Sequence, residues 1–207
     1  MVQMIEPSRN YRLGDLVSGY IGRRYKQQPE INPSPHFFCK NWPYSIGCEY
    51  VRSLNTTMNT NLSVLKNIVN KRNIHSSFLQ NDTIVVHLRL GDVLDLPYYR
   101  EKRNIARMYV RPITFFRNLK LPTTVKTAFI VSNVSFRTYG IPWKSKEYLK
   151  NVTEILQSRY LHVVNYTGAT PDDDFLFMTR AFYFVKSGGG FSNLVSHMVR
   201  MYNHTVW

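Results

Sequence analysis

The sequence has few cysteines, few acidic residues and no long apolar run, and each shortage excludes a class of protein. Cys39 and Cys48 are the two cysteines among 207 residues, too few for a zinc site made of cysteine alone or for a disulfide-rich scaffold. Their spacing matches no redox motif, and it fits a disulfide as well as two buried thiols. No apolar run approaches the roughly 20 residues of a membrane span, and the N-terminus lacks a signal-peptide core. These features predict a protein without a membrane span, located in the cytoplasm (host cytoplasm if viral).

The shortage of acidic residues leaves a strongly basic chain. Thirteen acidic residues face 27 basic ones, which gives a net charge of +14. Such a balance favours anionic partners: nucleic acid, an acidic surface or a phosphate-bearing small molecule. The densest basic stretch lies within residues 100–111. With 43% hydrophobic and 14% aromatic residues, the chain is globular rather than disordered.

Several catalytic motifs are also missing. The sequence contains no G-x-S-x-G of a serine hydrolase, and its glycine run lacks the Gly-Lys-Ser/Thr ending of a P-loop. Five histidines have no ligand-like spacing: His36, His75, His162, His197 and His204. Hydrolysis by a serine triad and nucleotide hydrolysis of the P-loop type are therefore disfavoured.

The hydrophobic pattern alternates between strands and helices, which predicts a doubly wound α/β sheet. Strands are predicted at 83–88, 127–132 and 161–164, with a further strand or helix end at 181–186. Helices are predicted at about 15–25, 62–69, 112–119, 146–160, from 171 onward, and at about 192–203. Residues 29–48, rich in proline, asparagine and aromatics, are predicted to form a long surface connection.

The most informative segment is T-I-V-V-H-L-R-L-G-D, Thr83–Asp92. Its β-branched run predicts a buried parallel strand, with His87, Arg89 and Asp92 at the carboxyl end and Gly91 allowing a turn. Open α/β sheets bind ligands at that end of their strands, and arginine grips phosphate with two parallel hydrogen bonds. The alternative is an ordinary strand end at which the arginine and the aspartate pair with each other.

Two further segments carry candidate chemistry. Ser187–Ser192 (S-G-G-G-F-S) precedes a helix, where glycines let backbone N–H groups approach an anion; the alternative is a plain flexible turn. Asp172–Asp174 resembles a D-x-D metal motif, and hard cations do bind such carboxylates. Because the acids follow Pro171 and begin a helix, capping explains most of that run.

These segments together resemble the fucosyltransferase superfamily, over roughly residues 82–200. Its first motif, H-x-R-x-G-D, matches His87, Arg89, Gly91 and Asp92. In the α1,2 branch the last motif runs D-x-x-x-M-S and then, about a dozen residues later, S-F-S. Here D-F-L-F-M-T begins at Asp174 and G-F-S ends at Ser192.

The resemblance implies a GT-B-like fold and inverting, metal-independent transfer of a sugar from a nucleotide-sugar to a glycan or glycoprotein hydroxyl. Arg89 would neutralise the leaving phosphate, and His87 would help to orient it. Asp173 or Asp174 would contact the base or ribose. Asp15 or Asp92 would act as the base that takes the acceptor proton. The segment closing around the phosphates would be Gly189, Gly190, Phe191 and Ser192.

The sequence departs from the α1,2 branch at three places. Leu90 replaces its second arginine, glycines replace the small polar residues before F-S, and Asn193 and Leu194 replace the tryptophans after F-S. The expected donor is therefore a GDP- or UDP-linked sugar that carries fucose or a related 6-deoxy-L-sugar such as rhamnose. Residues 1–80 are expected to form a small acceptor-side region and residues 81–207 a Rossmann-like donor domain, as in a compact viral or bacterial enzyme or one module of a longer polypeptide.

Two other functions compete with a transferase of this kind. The basic surface, with aromatic and basic residues interleaved over Tyr98–Tyr109, is compatible with a nucleic-acid-binding module. Asp172 and Asp174 are compatible with a metal-dependent GT-A transferase. The seven N-x-S/T sequons are expected as chance matches in an asparagine-rich chain, and Asn81 and Asn165 are expected close to the candidate site.

Overall fold

A computed structural model describes residues 39, 44–53, 62–72, 79–95, 108–134, 141–159, 161–166 and 170–207. In this part of the chain five strands form one sheet in which every pairing is parallel. Helices pack against both faces of the sheet. The predicted α/β architecture is therefore confirmed.

The elements are numbered here in chain order. The strands are β1 (Thr83–Leu88), β2 (Thr127–Ser132), β3 (His162–Tyr166), β4 (Tyr183–Val185) and β5 (Thr205–Val206). The helices are α1 (Ile46–Ser53), α2 (Leu62–Lys71), α3 (Asp92–Asp95), α4 (Ile113–Asn118), α5 (Trp143–Gln157), α6 (Pro171–Thr179) and α7 (Gly190–Met201).

The order of the strands across the sheet is β3-β2-β1-β4-β5. The chain first adds strands on one side of β1 and then crosses to the other side, where β4 pairs with β1 through Ile84–Tyr183, Val85–Phe184 and Val86–Val185. The direction of winding thus reverses between β1 and β4. In open α/β sheets ligands bind outside the carboxyl ends of the strands at this switch point.

Alternation along the strands produces two separate cores. In β1, Val85 packs on the face covered by α1, α2, α6 and α7, whereas Ile84 and Val86 pack on the face covered by α4 and α5. Successive side chains of a strand point to opposite faces of the sheet. A continuous apolar run therefore supplies apolar side chains to both faces. This arrangement explains why β1 is buried along its whole length and is a continuous β-branched run.

The described part of the predicted N-terminal region belongs to the first of these cores. Ile46 and Tyr50 of α1 and Leu65 of α2 are fully buried in one cluster with residues of α6 and α7. The prediction that residues 46–48 belong to a surface connection is therefore wrong. Ile46 and Cys48 are buried at the start of a helix. Pro, Asn and aromatic residues upstream suggested a loop, but the apolar residues of this short helix are covered by distant elements.

The end of the last helix and the strand that follows it also differ from prediction. Helix α7 ends at Met201 rather than Asn203, and the chain then turns through Asn203, at φ 59°, into β5. A two-residue strand has no periodicity that a sequence pattern can reveal. The predicted helix at about 15–25 lies outside the described residues.

Asp172 fastens α6 to α1 across 126 residues of sequence. Its Oδ2 accepts a 2.7 Å hydrogen bond from the backbone N–H of Ile46 and lies 3.7 Å from the Arg72 guanidinium.

None of the described helices is both long enough and apolar enough to span a membrane.

We expect Asp172→Ala to lower the free energy of unfolding by about 2–3 kcal/mol, because it removes a buried charge-assisted hydrogen bond to α1. Asp174→Ala removes the same charge from the first turn of α6 and is the matched control, with an expected loss of at most about 1 kcal/mol from the helix dipole. Urea unfolding of both variants measures the difference. Equal losses would contradict a structural role for the contact between α6 and α1.

Candidate functional site

The two glycine-containing motifs meet at the switch point. The first follows β1 and the second follows β4, so both loops leave the sheet at its carboxyl edge. The backbone N–H of Arg89 donates a 3.0 Å hydrogen bond to Ser187 Oγ, across 98 residues of sequence. The structure therefore places H-L-R-L-G-D directly against S-G-G-G-F-S.

Ser187 is buried and connects four segments. Its hydroxyl accepts the bond from Arg89 and donates a 2.6 Å hydrogen bond to the carbonyl of Tyr109. Its backbone N–H donates to the buried hydroxyl of Ser192 in the first turn of α7. The serine thereby holds the ends of β1 and β4, residue 109 and the start of α7 in one arrangement.

The glycines of the second motif have a packing role. A Cβ on Gly188 would lie 1.8 Å from the carbonyl oxygen of Met108, and the Gly188 N–H donates a 2.8 Å hydrogen bond to Tyr109. Gly189 adopts φ 90° beside the Tyr109 ring. The backbone N–H groups of the glycine run were predicted to approach an anion; that of Gly188 is instead bonded to Tyr109, because residues 108–109 lie against the loop.

Arg89 and Asp92 form an ion pair. One terminal nitrogen of the guanidinium lies 2.7 Å and 3.0 Å from the two carboxylate oxygens, and the other terminal nitrogen lies 3.3 Å from the carbonyl oxygen of Leu90. The Asp92 side chain is 4% exposed and that of Arg89 is 25% exposed. Of the two interpretations of this strand end, the structure shows the pairing of arginine with aspartate, and it leaves the Arg89 side chain partly exposed.

The loop after β1 is also held from the side of α5. Gly91 adopts φ 74°, and its backbone N–H donates a 2.9 Å hydrogen bond to Ser145 Oγ. The Ser145 hydroxyl in turn donates to Asp95, whose carboxylate also accepts from the backbone N–H groups of Lys144 and Ser145. Ser187 and Ser145 therefore fix the two ends of this short loop.

His87 is a buried neutral imidazole beside the site. Burial, reinforced by the nearby Arg89 charge, lowers its pKa to about 3. Its ring meets Phe191 of α7 edge to face at 5.7 Å. Among the described residues its Nδ1 has no hydrogen-bond partner, although buried polar atoms are normally paired.

The acidic run at the start of α6 serves three purposes. Asp172 binds α1, and Asp173 forms a capping box with Thr170, accepting a 2.8 Å hydrogen bond from its backbone N–H. Asp174 and Asp173 raise the pKa of Tyr166 at the end of β3, in addition to the larger effect of its burial. Capping thus explains Asp173. The described residues contain no group of three histidine, cysteine, aspartate or glutamate side chains placed to hold a metal ion.

A basic group next to the switch point was not predicted. Lys186 directly follows β4, and its pKa is lowered by partial burial and by the charges of Arg111 and Arg200. Lys186 Nζ donates to Asn193 in the first turn of α7, while Arg111 Nε donates to the Lys186 carbonyl. Within the described residues none of the three forms an ion pair with a carboxylate. These residues are far apart in sequence, so no local pattern indicated the group.

The structure thus brings most of the predicted site residues to one edge of the sheet. The residues around the switch point are His87, Arg89, Asp92, Gly189, Gly190, Phe191 and Ser192. Asp173 and Asp174 lie near the end of β3 instead. Asp15 lies outside the described residues.

The neutral state of His87 predicts a pH-dependent stability. An unfolded histidine takes up a proton near pH 6.5, whereas the folded one does so near pH 3. The contribution of His87 to the free energy of unfolding is therefore complete above pH 6.5. It is lost as the pH falls toward 3, because over this range the unfolded chain binds a proton that the folded chain does not. Between pH 7.5 and 5.5, the free energy of unfolding of the wild type should fall by about 1.4 kcal/mol more than that of His87→Gln. Parallel curves in urea unfolding at these pH values would contradict a neutral buried imidazole.

Gly188→Ala should lower the free energy of unfolding by about 2 kcal/mol or more, because its methyl group would overlap the Met108 carbonyl and displace residues 108–109. Urea unfolding at neutral pH measures the loss. A variant as stable as the wild type would show that this segment does not pack against the loop after β4.

No protein-family model, curated protein or solved structure matches this chain. The resemblance to the fucosyltransferase superfamily therefore stays a prediction that is based on the motifs. Function has to be argued from the residues at the switch point.

Proposed function

We propose that the protein is a glycosyltransferase that binds the diphosphate of a nucleotide-sugar at the switch point between β1 and β4. One observation carries the proposal: the Arg89 N–H is bonded to Ser187, so two motifs that resemble one enzyme family meet where parallel sheets bind ligands. The pairing of β1 with β4 brings the two segments to the same edge, and the bond between Arg89 and Ser187 joins them there.

The cations and the helix at this edge support a phosphate ligand. The partly exposed Arg89 guanidinium offers planar recognition of a phosphate, and Asp92 fixes its orientation. Helix α7 begins at Gly190, and the N–H groups of a first turn have no partner within the helix and favour an anion. Lys186 adds a second positive charge beside that turn.

His87 fits the role of a neutral donor or acceptor rather than a cation. Its pKa of about 3 keeps the ring uncharged at neutral pH. The buried Nδ1, unpaired within the described residues, is satisfied if a ligand group hydrogen-bonds to it. This interpretation keeps the expected role of His87, which is to orient the phosphate next to Arg89.

In this proposal the acids at the start of α6 would contact the nucleoside. Asp173 and Asp174 lie near Tyr166, at the end of a strand two positions away from β1. Neighbouring strands are about 4.8 Å apart, so about 10 Å separates the end of β3 from that of β1. A nucleoside extending from a diphosphate at β1 across β2 would bring its ribose or base toward these carboxylates.

In the proposed reaction, the acceptor oxygen attacks the anomeric carbon while the bond from that carbon to the diphosphate breaks. The diphosphate leaves with the electron pair, stabilised by Arg89, and a base takes the proton of the acceptor. Asp92 is poorly suited as this base because both of its oxygens are engaged by Arg89. Asp15 therefore stays the candidate base, and residues 1–80 the proposed source of the acceptor side in a GT-B-like enzyme.

Nucleotide binding tests the proposal directly. Thermal shift and calorimetry against GDP, UDP, dTDP and their sugar conjugates should show selective binding of one nucleotide. Arg89→Lys keeps the charge opposite the buried Asp92 but loses the two-pronged geometry, and it should weaken binding about tenfold or more. Arg117→Lys, on the exposed end of α4, is the matched control and should bind like the wild type.

Two results would contradict the proposal. Equal nucleotide affinity of Arg89→Lys and the wild type would show that the Arg89 guanidinium does not bind the phosphate. Binding of single-stranded nucleic acid in the absence of any nucleotide binding would favour the nucleic-acid-binding module and its basic surface instead.

The proposed chemistry does not use a metal, because Arg89 and the start of α7 supply the positive charge. The rate of sugar transfer from the nucleotide-sugar that binds in this screen should be unchanged in excess EDTA. Loss of transfer in EDTA, with recovery on adding Mg²⁺ or Mn²⁺, would favour the metal-dependent alternative through Asp172 and Asp174.

A further inference from the structure

The two cysteines of the chain are joined to each other. Cys39 and Cys48 form a disulfide with a Cα–Cα distance of 5.0 Å, which leaves no free cysteine. Cys48 is fully buried at the start of α1, so the bond ties residue 39 to the core. Structural disulfides form and persist in oxidising compartments and are rare in the reducing cytosol.

The sequons point to the same kind of compartment. The chain has 17 asparagines, and serine and threonine together make up 29 of its 207 residues. Random placement would therefore give about two or three N-x-S/T sequons, whereas seven are present: Asn55, Asn61, Asn81, Asn133, Asn151, Asn165 and Asn203. Composition alone does not explain this excess.

Asn81 has the placement that a glycan requires. It is exposed in the turn that leads into β1, which is held by two hydrogen bonds from Thr83 to the Gln80 carbonyl. It was expected near the candidate site, but it lies at the amino end of β1. Six residues at about 3.3 Å each separate it by about 20 Å from the carboxyl end of that strand.

Asn203 has an equivalent placement. It is exposed in the turn between α7 and β5, with φ 59° and its N–H bonded to the Arg200 carbonyl. The threonine of its sequon, Thr205, is also exposed. Because β5 is parallel to β1 and lies on the far side of β4, this turn is at the same amino edge of the sheet as Asn81.

The other described sequons are placed differently. Asn133 and Asn165 lie at or near the carboxyl ends of β2 and β3, on the edge that holds the candidate site. Asn151 is half-buried on α5, in a groove of about 270 Å³. The amino edge is thus the part of the described surface where a large polar modification leaves the switch point open.

We propose that the protein matures in an oxidising compartment, where the Cys39–Cys48 disulfide forms and where Asn81 and Asn203 carry N-linked oligosaccharides. This location differs from the cytoplasm predicted from the sequence. The inference depends on the disulfide and on the exposure of two turns, and it is independent of the proposed transferase activity.

The protein isolated from the cells that make it provides the first test. Digestion with peptide-N-glycosidase in ¹⁸O-labelled water should convert Asn81 and Asn203 to labelled aspartate, as read by peptide mass spectrometry. Iodoacetamide should modify Cys39 and Cys48 only after reduction. Unlabelled asparagine at both positions, or two cysteines that alkylate without reductant, would overturn the proposal.

Variants of the full chain, directed into the secretory pathway of cultured cells, assign each site. Asn81→Gln and Asn203→Gln should each remove one glycan and produce one step in gel mobility. Thr205→Ala should remove the same glycan as Asn203→Gln, whereas Thr205→Ser, which preserves the sequon, should retain it. A chain whose mobility does not change in either asparagine variant would contradict glycosylation at that position.

Discussion

The hydroxyl of Ser187 is the interaction on which the carboxyl edge of the sheet depends. It joins the first residue after β1 to the segment at Tyr109, while the backbone of the same serine binds the start of α7. Without it, the Arg89 N–H would lose this partner, which costs about 1–3 kcal/mol for a polar group kept from water, and the Tyr109 carbonyl would keep its bond from the Gly188 N–H. The sheet brings these segments close together, and the serine sets their relative positions.

Three of the described acidic residues hold parts of this fold in place. Asp92 orients Arg89, Asp95 anchors Ser145, and Asp172 holds α1. A chain with 13 acids and 27 bases that uses its carboxylates in this way leaves cations such as Lys186 and Arg111 without an acidic partner among the described residues. The positive surface at this edge follows from where the few acids are used as much as from the number of bases.

The centre of this sheet was predictable from sequence because β1 and β2 are six-residue apolar runs between polar segments. Strands β1 and β2 have the predicted boundaries: β1 is buried along its whole length and is rich in β-branched residues, and β2 is an apolar run between polar residues. The two-residue β5 carries no such signal. Helix α1 was hidden because the partners that bury it come from α6 and α7, far along the chain.

Prediction of the site had a similar limit. A motif identifies residues such as Arg89 at the end of one strand. Because the strands are parallel, the ends of neighbouring strands are predicted to lie at the same edge of the sheet. It does not reveal whether a carboxylate three residues away will occupy the guanidinium, or which backbone approaches Gly188. Both depend on side-chain rotamers and on contacts between distant segments. The cluster around Lys186 was missed because its members come from three separate parts of the chain.

The double anchoring of the loop after β1 has a consequence for molecular recognition. Ser187 holds Arg89 at one end, and Ser145 holds Gly91 at the other. A loop already fixed at both ends loses little conformational entropy when a ligand arrives, so most of the interaction energy appears as affinity. Such a surface is also rigid: under the proposed function it would discriminate by shape among anions of similar charge, and it would adapt poorly to a ligand whose phosphate spacing differs.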